Sequence, residues 1–327
     1  MALPKLLEGR LSLPIIGAPM FIVSGPELVI AQCKAGIVGS FPALNARPKE
    51  QLTEWLGRIK KELAEYQAQH PDRPVAPFAV NQIAHKSNDR LEYDMRVCVE
   101  HQVPIIITSL RPPAEIVNAV HSYGGIVLHD VINVRHAEKA LEEGVDGLIL
   151  VCAGAGGHAG TLSPFALLTE VRRFYNGTIC LAGAMTSGAH VLAAQAMGAD
   201  LAYIGTRFIA TEEANAMAEY KQMLIDTTAK DIVYSSLFTG VHGNYLKPAI
   251  AKNGMDPDNL PSADKTTMNF GSGGNTAAKA WRDIWSAGQG VGNIVDAPNV
   301  GKLVARMREE YDTAFEALAK NARTGKT

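Results

Sequence analysis

Aromatic residues make up only 6% of the 327 residues, too few for a surface that stacks on nucleic-acid bases. The formal net charge of −2 gives no bulk attraction to nucleic acid or to an anionic membrane. Neither partner is expected. Cysteine is also sparse: Cys33, Cys98, Cys152 and Cys180 form no Cys-x-x-Cys pair. Their spacing suits neither a zinc site nor a compact disulfide framework, so buried free thiols in a reducing compartment are expected. No apolar run approaches the roughly 20 residues of a membrane span. The opening stretch Met1–Glu8 lacks the apolar core of a signal peptide, so the expected location is cytoplasmic. His-x-x-x-His and His-Glu-x-x-His are missing, so no metal is expected. A nucleophile elbow and a P-loop are missing too.

What is present reads as an enzyme-sized soluble chain. Hydrophobic residues make up 47% and charged residues 20%, enough for one large barrel or two ordinary domains. Eight short apolar runs recur, at 14–20, 37–41, 75–80, 103–108, 125–129, 147–151, 178–182 and 201–205. Runs apolar on both faces read as buried parallel strands. Amphipathic segments lie between them, as at 48–69, while 133–143 and 187–197 start at Asn or Ser caps and end before Gly144 and Gly198. Eight strands alternating with helices predict an α/β fold, a (β/α)₈ TIM barrel. An open doubly wound sheet competes, but Ala18-Pro19-Met20 after the first strand cannot form its glycine-rich turn. Residues 213–225 read as helical. From 234 to 275 periodicity fades, apart from a short helical turn at 246–251. Residues 215–280 therefore read as a small substrate-covering domain on a barrel built from 1–214 and 281–327. Closing helices are expected at 281–285 and 299–321.

The chemistry concentrates in Cys152-Ala-Gly-Ala-Gly-Gly-His-Ala-Gly160, which follows the sixth run. It sets one imidazole, His158, among residues small enough for the backbone to approach a flat ligand. A lone histidine there is a candidate for proton transfer or charge stabilisation. The competing reading is a mobile glycine-rich loop with an incidental histidine. At the same barrel end lie Ala18, Pro19, Met20 and Asn81, and the small residues Ala182-Gly183-Ala184 and Gly205-Thr206. The last two groups lead into helices and suit a bound phosphate. His129 and Asp130 are neighbours in a strand, so only one of them can face the site. Tyr234, His242, Tyr245 and Lys247 are the polar candidates on the covering segment, with plain surface roles as the alternative.

These pieces together resemble the nitronate monooxygenase family, FMN-dependent TIM-barrel enzymes. The resemblance rests on 14–20, Pro77-Phe-Ala-Val-Asn81, Ala155-Gly-Gly-His-Ala-Gly160, Leu181-Ala-Gly-Ala184, Met197-Gly-Ala-Asp200, Gly205-Thr-Arg-Phe208 and Trp285-Ser-Ala-Gly-Gln289. It implies that Ala18, Pro19, Met20, Asn81, Gly156, Gly157 and Ala182 lie near FMN. Gly183, Ala184, Gly205 and Thr206 would hold its phosphate, and Ser286, Gly288 and Gln289 would return to it from the C-terminal part. His158 would stand at the flavin face, positioning a nitronate or removing a proton from a nitroalkane, while O₂ accepts the electrons. Three positions depart from the family pattern. Gly154 replaces an acidic residue, Ala184 a second glycine, and Asp130 a lysine. The same scaffold resembles reductases that use NADH or NADPH to reduce a quinone or enoyl thioester. A flavin-free phosphosugar isomerase or lyase and a non-catalytic flavin-binding or assembly protein are remoter alternatives. A homodimer is the default oligomer.

Overall fold

The computed structural model describes residues 3–111, 114–261 and 283–324. Eight parallel strands form one sheet: β1 (Ile15–Gly17), β2 (Gly39–Pro42), β3 (Phe78–Ala84), β4 (Ile105–Leu110), β5 (Ile126–Val131), β6 (Gly147–Val151), β8 (Thr178–Ala182) and β9 (Leu201–Ile204). A two-residue strand, β7 (Gly157–His158), precedes β8. The order is β1-β9-β8-β6-β5-β4-β3-β2. A parallel bridge between Ile16 and Val38 joins β1 to β2. There the Gly17 N–H donates to the Val38 carbonyl at 2.8 Å, and the Val38 N–H to the Ile15 carbonyl at 3.0 Å, closing the barrel. All eight expected strands are present.

The strands hold together because both faces are dry. Ile16, Val38, Ala79, Ile107, Leu128, Ile149, Cys180 and Leu201 fill the interior, and Leu7 plugs it from below. The outward faces pack on the surrounding helices. Those helices begin as the sequence predicts. Asn133 accepts from the His136 N–H at 2.8 Å and Ser187 from the His190 N–H at 3.4 Å. Gly144 and Gly198, at φ +83° and +105°, end their helices. The helix Val300–Thr324 fills the eighth outer place, packed against Gly188–Ala196 and Pro26–Lys34. Arg207 and Arg306 both grip Asp296, each at 2.7 Å, fastening the chain just before that helix to the barrel. All four cysteines are buried and free.

Residues 215–261 are more ordered than their composition predicts. Ala218–Asp226 and Lys247–Lys252 are helical, as expected. Between them, β10 (Ile232–Ser235) and β11 (Gly243–Leu246) form an antiparallel hairpin. β11 also pairs with β7, Gly243 opposite His158 and Asn244 opposite Gly157. Each strand has only four residues, and β11 carries Gly and Asn, so no period is visible in the sequence. Tyr245, Ile250 and Ile284 form a small apolar cluster of their own with Val233, Phe238, Met255 and Leu260. The closing helix expected at 281–285 falls partly on Trp281 and Arg282, outside the described residues. Trp285 is not helical: its carbonyl accepts from the Leu246 N–H at 3.0 Å, and Ser286 bridges Tyr245. That segment follows the edge of β11 instead. Residues 262–280 also lie outside the described residues, as do the last three of the chain.

Candidate active site

Side chains alternate along a strand, so each interior residue is followed two positions later by another facing the same way. Above the apolar layer this gives Ala18, Ser40, Asn81, Ser109, Asp130, Val151, Ala182 and Tyr203. All but Ser40 line one cavity of about 500 Å³ at the C-terminal end of the barrel. They form its floor. Polar groups on the floor are joined in a row across β3, β4 and β5. Asn81 Nδ2 donates to Ser109 Oγ at 2.8 Å, and Ser109 Oγ donates to Asp130 Oδ2 at 2.6 Å. Burial pushes the Asp130 carboxyl up to about 6, against the pull of the Ser109 hydrogen bond. Burial, with Asp130 and Cys180 nearby, raises the Tyr203 phenol well above its usual range.

The wall is built from the loop after β6. Gly154 and Gly157 take φ +83° and +66°, which lets the loop fold back and pair as β7. Three other segments tie it down by hydrogen bonds. Ala184 N–H (3.2 Å) and Gln289 N–H (2.9 Å) both donate to the Gly154 carbonyl, and Asn244 Nδ2 donates to the Ala155 carbonyl at 2.7 Å. The Gly288 N–H donates to Thr206 Oγ1 at 2.9 Å. A Cβ on Gly156 would stand 2.7 Å from Thr206 Oγ1 and 2.8 Å from the Gly288 N, so only glycine lets these chains stack. Ala184 holds φ +53°, a conformation costly for a residue with a side chain.

His158 projects from this wall into the cavity. Its Nε2 lies 3.0 Å from Thr239 Oγ1, whose own proton goes to the Val241 carbonyl at 3.0 Å. Thr239 therefore accepts from Nε2–H, and Nδ1 carries the lone pair. Burial lowers the imidazole to about 4, so His158 is neutral at physiological pH. A neutral imidazole with a fixed tautomer can take a proton at Nδ1.

The cavity gathers most of the expected residues: Ala18, Pro19, Met20, Asn81, Asp130, Gly156, Gly157, His158, Ala182, Gly183, Ala184, Gly205, Thr206, His242, Ser286 and Gly288. Five others are not in its lining. Gln289 is exposed at the rim, with its N–H spent on Gly154. His129 is 2% exposed, on the outer face of β5, with Nδ1 2.7 Å from Thr108 Oγ1. Tyr234 points outward, stacks on His242 at 5.1 Å, and gives its hydroxyl proton to the Ala159 carbonyl. Tyr245 is buried edge-on against Phe238. Lys247 pairs with Asp258 at 2.5 Å.

The structure adds lining residues that sequence reasoning missed. Ser109 and Tyr203 were findable by counting two past the interior layer. Thr186 had no such signal. Its hydroxyl is buried in the lining without a hydrogen-bond partner among the described residues, while its N–H donates to His190 Nδ1 at 3.1 Å. Arg47 and His136 lie at the mouth. Among the described residues no His, Cys, Asp or Glu cluster could hold a metal ion, and no helix is long and apolar enough to cross a membrane.

Comparison with known proteins agrees with this architecture. A family model described as nitronate monooxygenase matches residues 6–310. A nitronate monooxygenase of Paraburkholderia phytofirmans is 25% identical, over 93% of this chain and 94% of the relative. The structure of FabK from Thermotoga maritima superposes with a TM-score of 0.77 at 24% identity, over 97% of each chain. A nitroalkane oxidase from Streptomyces ansochromogenes gives 0.76 at 23% identity, over 96% of this chain and 100% of the other. At that identity the two structures speak for the fold.

Proposed function

The chain belongs to the nitronate monooxygenase family and is an oxidoreductase, and from this premise we propose that it binds FMN and oxidises small alkyl nitronates with O₂, yielding a carbonyl compound and nitrite. The observation that carries the reading is the neutral His158, held by Thr239 on a wall above the barrel floor. The cavity fits the cofactor. Its volume of about 500 Å³ lies in the range for cofactor sites. Two buried polar atoms in its lining, Asp130 Oδ1 and Thr186 Oγ1, have no partner among the described residues and call for a polar ligand.

Gly183, Ala184, Gly205 and Thr206 would hold the phosphate, with the Thr186 hydroxyl as an added donor. Asn81 and the small residues Ala18, Gly156, Gly157 and Ala182 would lie against the ring, with Ser286 and Gly288 closing over it. Bound FMN supplies the electron acceptor for the substrate and the reductant for O₂. His158 would orient the substrate and hold or take a proton at Nδ1. The described part of the covering segment, residues 215–261, serves in this reading as the cover of the mouth, since Met217, Tyr220, Val241 and His242 also line the cavity.

Thr186→Val gives an early check on the phosphate assignment. A hydrogen bond to a charged group contributes about 1.5–3 kcal/mol, so FMN affinity should fall roughly 10–100-fold. Thermal stability without FMN should not fall, because the hydroxyl has no partner among the described residues to lose. Fluorescence titration with FMN reads the first effect; unchanged affinity removes Thr186 from the site.

One observation favours a second reading. An acidic side chain in the lining, Asp130, is poorly matched to an anionic nitronate. A reductase taking electrons from NADH or NADPH, for a quinone or enoyl thioester, avoids that conflict. Mixing the FMN-loaded protein without oxygen with propionate 3-nitronate, and separately with each pyridine nucleotide, separates the two. Bleaching of flavin absorbance by the nitronate alone is the expected result. Bleaching only by NADH or NADPH would replace the monooxygenase reading with the reductase one.

A further inference from the structure

Asp130 belongs to the floor of the cavity rather than to the wall that carries His158. It follows Leu128 on the inward face of β5, level with Asn81 on β3 and Ser109 on β4. The hydrogen bonds in this layer run one way, from Asn81 to Ser109 and from Ser109 to Asp130 Oδ2. Asp130 is thus the end acceptor of the row. Its other oxygen, Oδ1, is buried and has no partner among the described residues. Among the described residues no ion pair neutralises the carboxyl. The groups that feel its charge from other strands of the barrel are the Cys180 thiol on β8 and the Tyr203 phenol on β9, both uncharged at neutral pH. Arg47, His136, His158 and His242 line other parts of the same cavity.

A flat ligand lying across the barrel end has the floor on one side and the His158 wall on the other. We propose that Asp130 is a cofactor-side group, its carboxyl bonding the polar edge of the flavin ring and its negative charge weakening the site's hold on reduced relative to oxidised flavin. This rests on the FMN part of the reading above and is independent of which substrate is oxidised. A carboxylate accepts a hydrogen bond from the ring imide N–H, which satisfies the stranded oxygen. The same charge repels the electron density that two-electron reduction adds to the ring, most strongly where water is excluded. Below about pH 6 the carboxyl is protonated and the repulsion ends. Asp130 supplies neither the electrons nor a proton. It also lies under the cofactor, so its charge no longer argues against an anionic substrate on the other side.

The test measures dissociation constants for oxidised FMN and for dithionite-reduced FMN, at several values of pH, in wild type, Asp130→Asn and Ser109→Ala. At pH 8 the ratio of the reduced to the oxidised constant should fall at least tenfold in Asp130→Asn. That corresponds to a rise of about 30 mV in a two-electron potential. At pH 5 wild type and Asp130→Asn should agree. Ser109→Ala should keep the wild-type ratio at pH 8 and move the transition to higher pH, since it loses the bond that favours the ionised form. Tight FMN binding with equal ratios at pH 8, or a gap that persists at pH 5, overturns the role of Asp130 alone. Failure of all three proteins to bind FMN overturns the cofactor assignment with it.

Discussion

His158→Ala is expected to slow flavin reduction by a nitroalkane or nitronate by roughly 10²–10⁴-fold, the range for loss of a positioned acid–base group. FMN binding should change little, since the tight stacking around Gly156, Thr206 and Gly288 does not involve the imidazole. Stopped-flow absorbance without oxygen gives the rate, and a titration gives the affinity. The pH profile adds a signature that a structural role does not produce. Burial depresses the imidazole to about 4, so the active neutral form persists above that value and the wild-type rate falls as pH drops through it. The acid limb should be missing in His158→Ala. The same shift acts on stability: between the ordinary value of 6.5 and about 4 the unfolded chain binds the extra proton, so the fold weakens as pH falls through that window. A variant reduced within threefold of the wild-type rate would remove His158 from the chemistry.

Gly188→Ala should unfold the protein well below the wild-type temperature. Gly188 opens the helix Gly188–Ala196, and a Cβ there would run into the Met307 carbonyl and the Tyr311 backbone N of the last helix. Both obstacles are backbone and cannot rotate away. The Gly188 N–H is also held by Glu310 Oε2 at 2.8 Å, and Tyr311 gives its hydroxyl proton to Gln195 at 2.6 Å. Overpacking of this kind costs about 3 kcal/mol or more, a fall of roughly 5–10 °C in Tm. Gly57→Ala is the matched control. It lies in the helix Gln51–Gln69 with nothing within 4 Å of its Cβ position, and alanine there should be neutral or stabilising by up to about 1 kcal/mol. Differential scanning calorimetry of the two variants decides. A Gly188→Ala protein melting within a degree or two of wild type is incompatible with so close a helix contact.

The barrel was legible because its strands are dry on both faces, and a run such as Gly147–Val151 has few other places to go. His158 was legible because a single polar side chain stands out in a loop of glycine and alanine. Adjacent His129 and Asp130 had to face opposite ways, but the sequence could not say which faced in. That depends on Leu128 filling the interior, and so on the register of the whole barrel. The hairpin of β10 and β11 escaped notice because its partner is Gly157–His158, a strand of two residues far away in the chain. Its side chains then follow the pairing: Tyr245 turns into the small apolar cluster while Tyr234 turns out toward Ala159. Polarity alone could not separate these from His242. Thr186 is invisible for a similar reason, since a threonine in a polar turn says nothing about whether its hydroxyl finds a partner.

The helix Val300–Thr324 bears on how the molecule comes to exist at all. Leu28 and Val191, on the first and seventh outer helices, share an apolar cluster with Val300, Leu303, Val304 and Met307. Chains leave the ribosome from the N-terminus, so the two flanks of this seam are made long before the piece that seals it. All eight strands can be outside the exit tunnel while that groove still faces water. Sealing of this seam therefore waits on translation of 300–307, and a nascent chain halted near residue 295 carries all eight barrel strands yet leaves a sticky cleft.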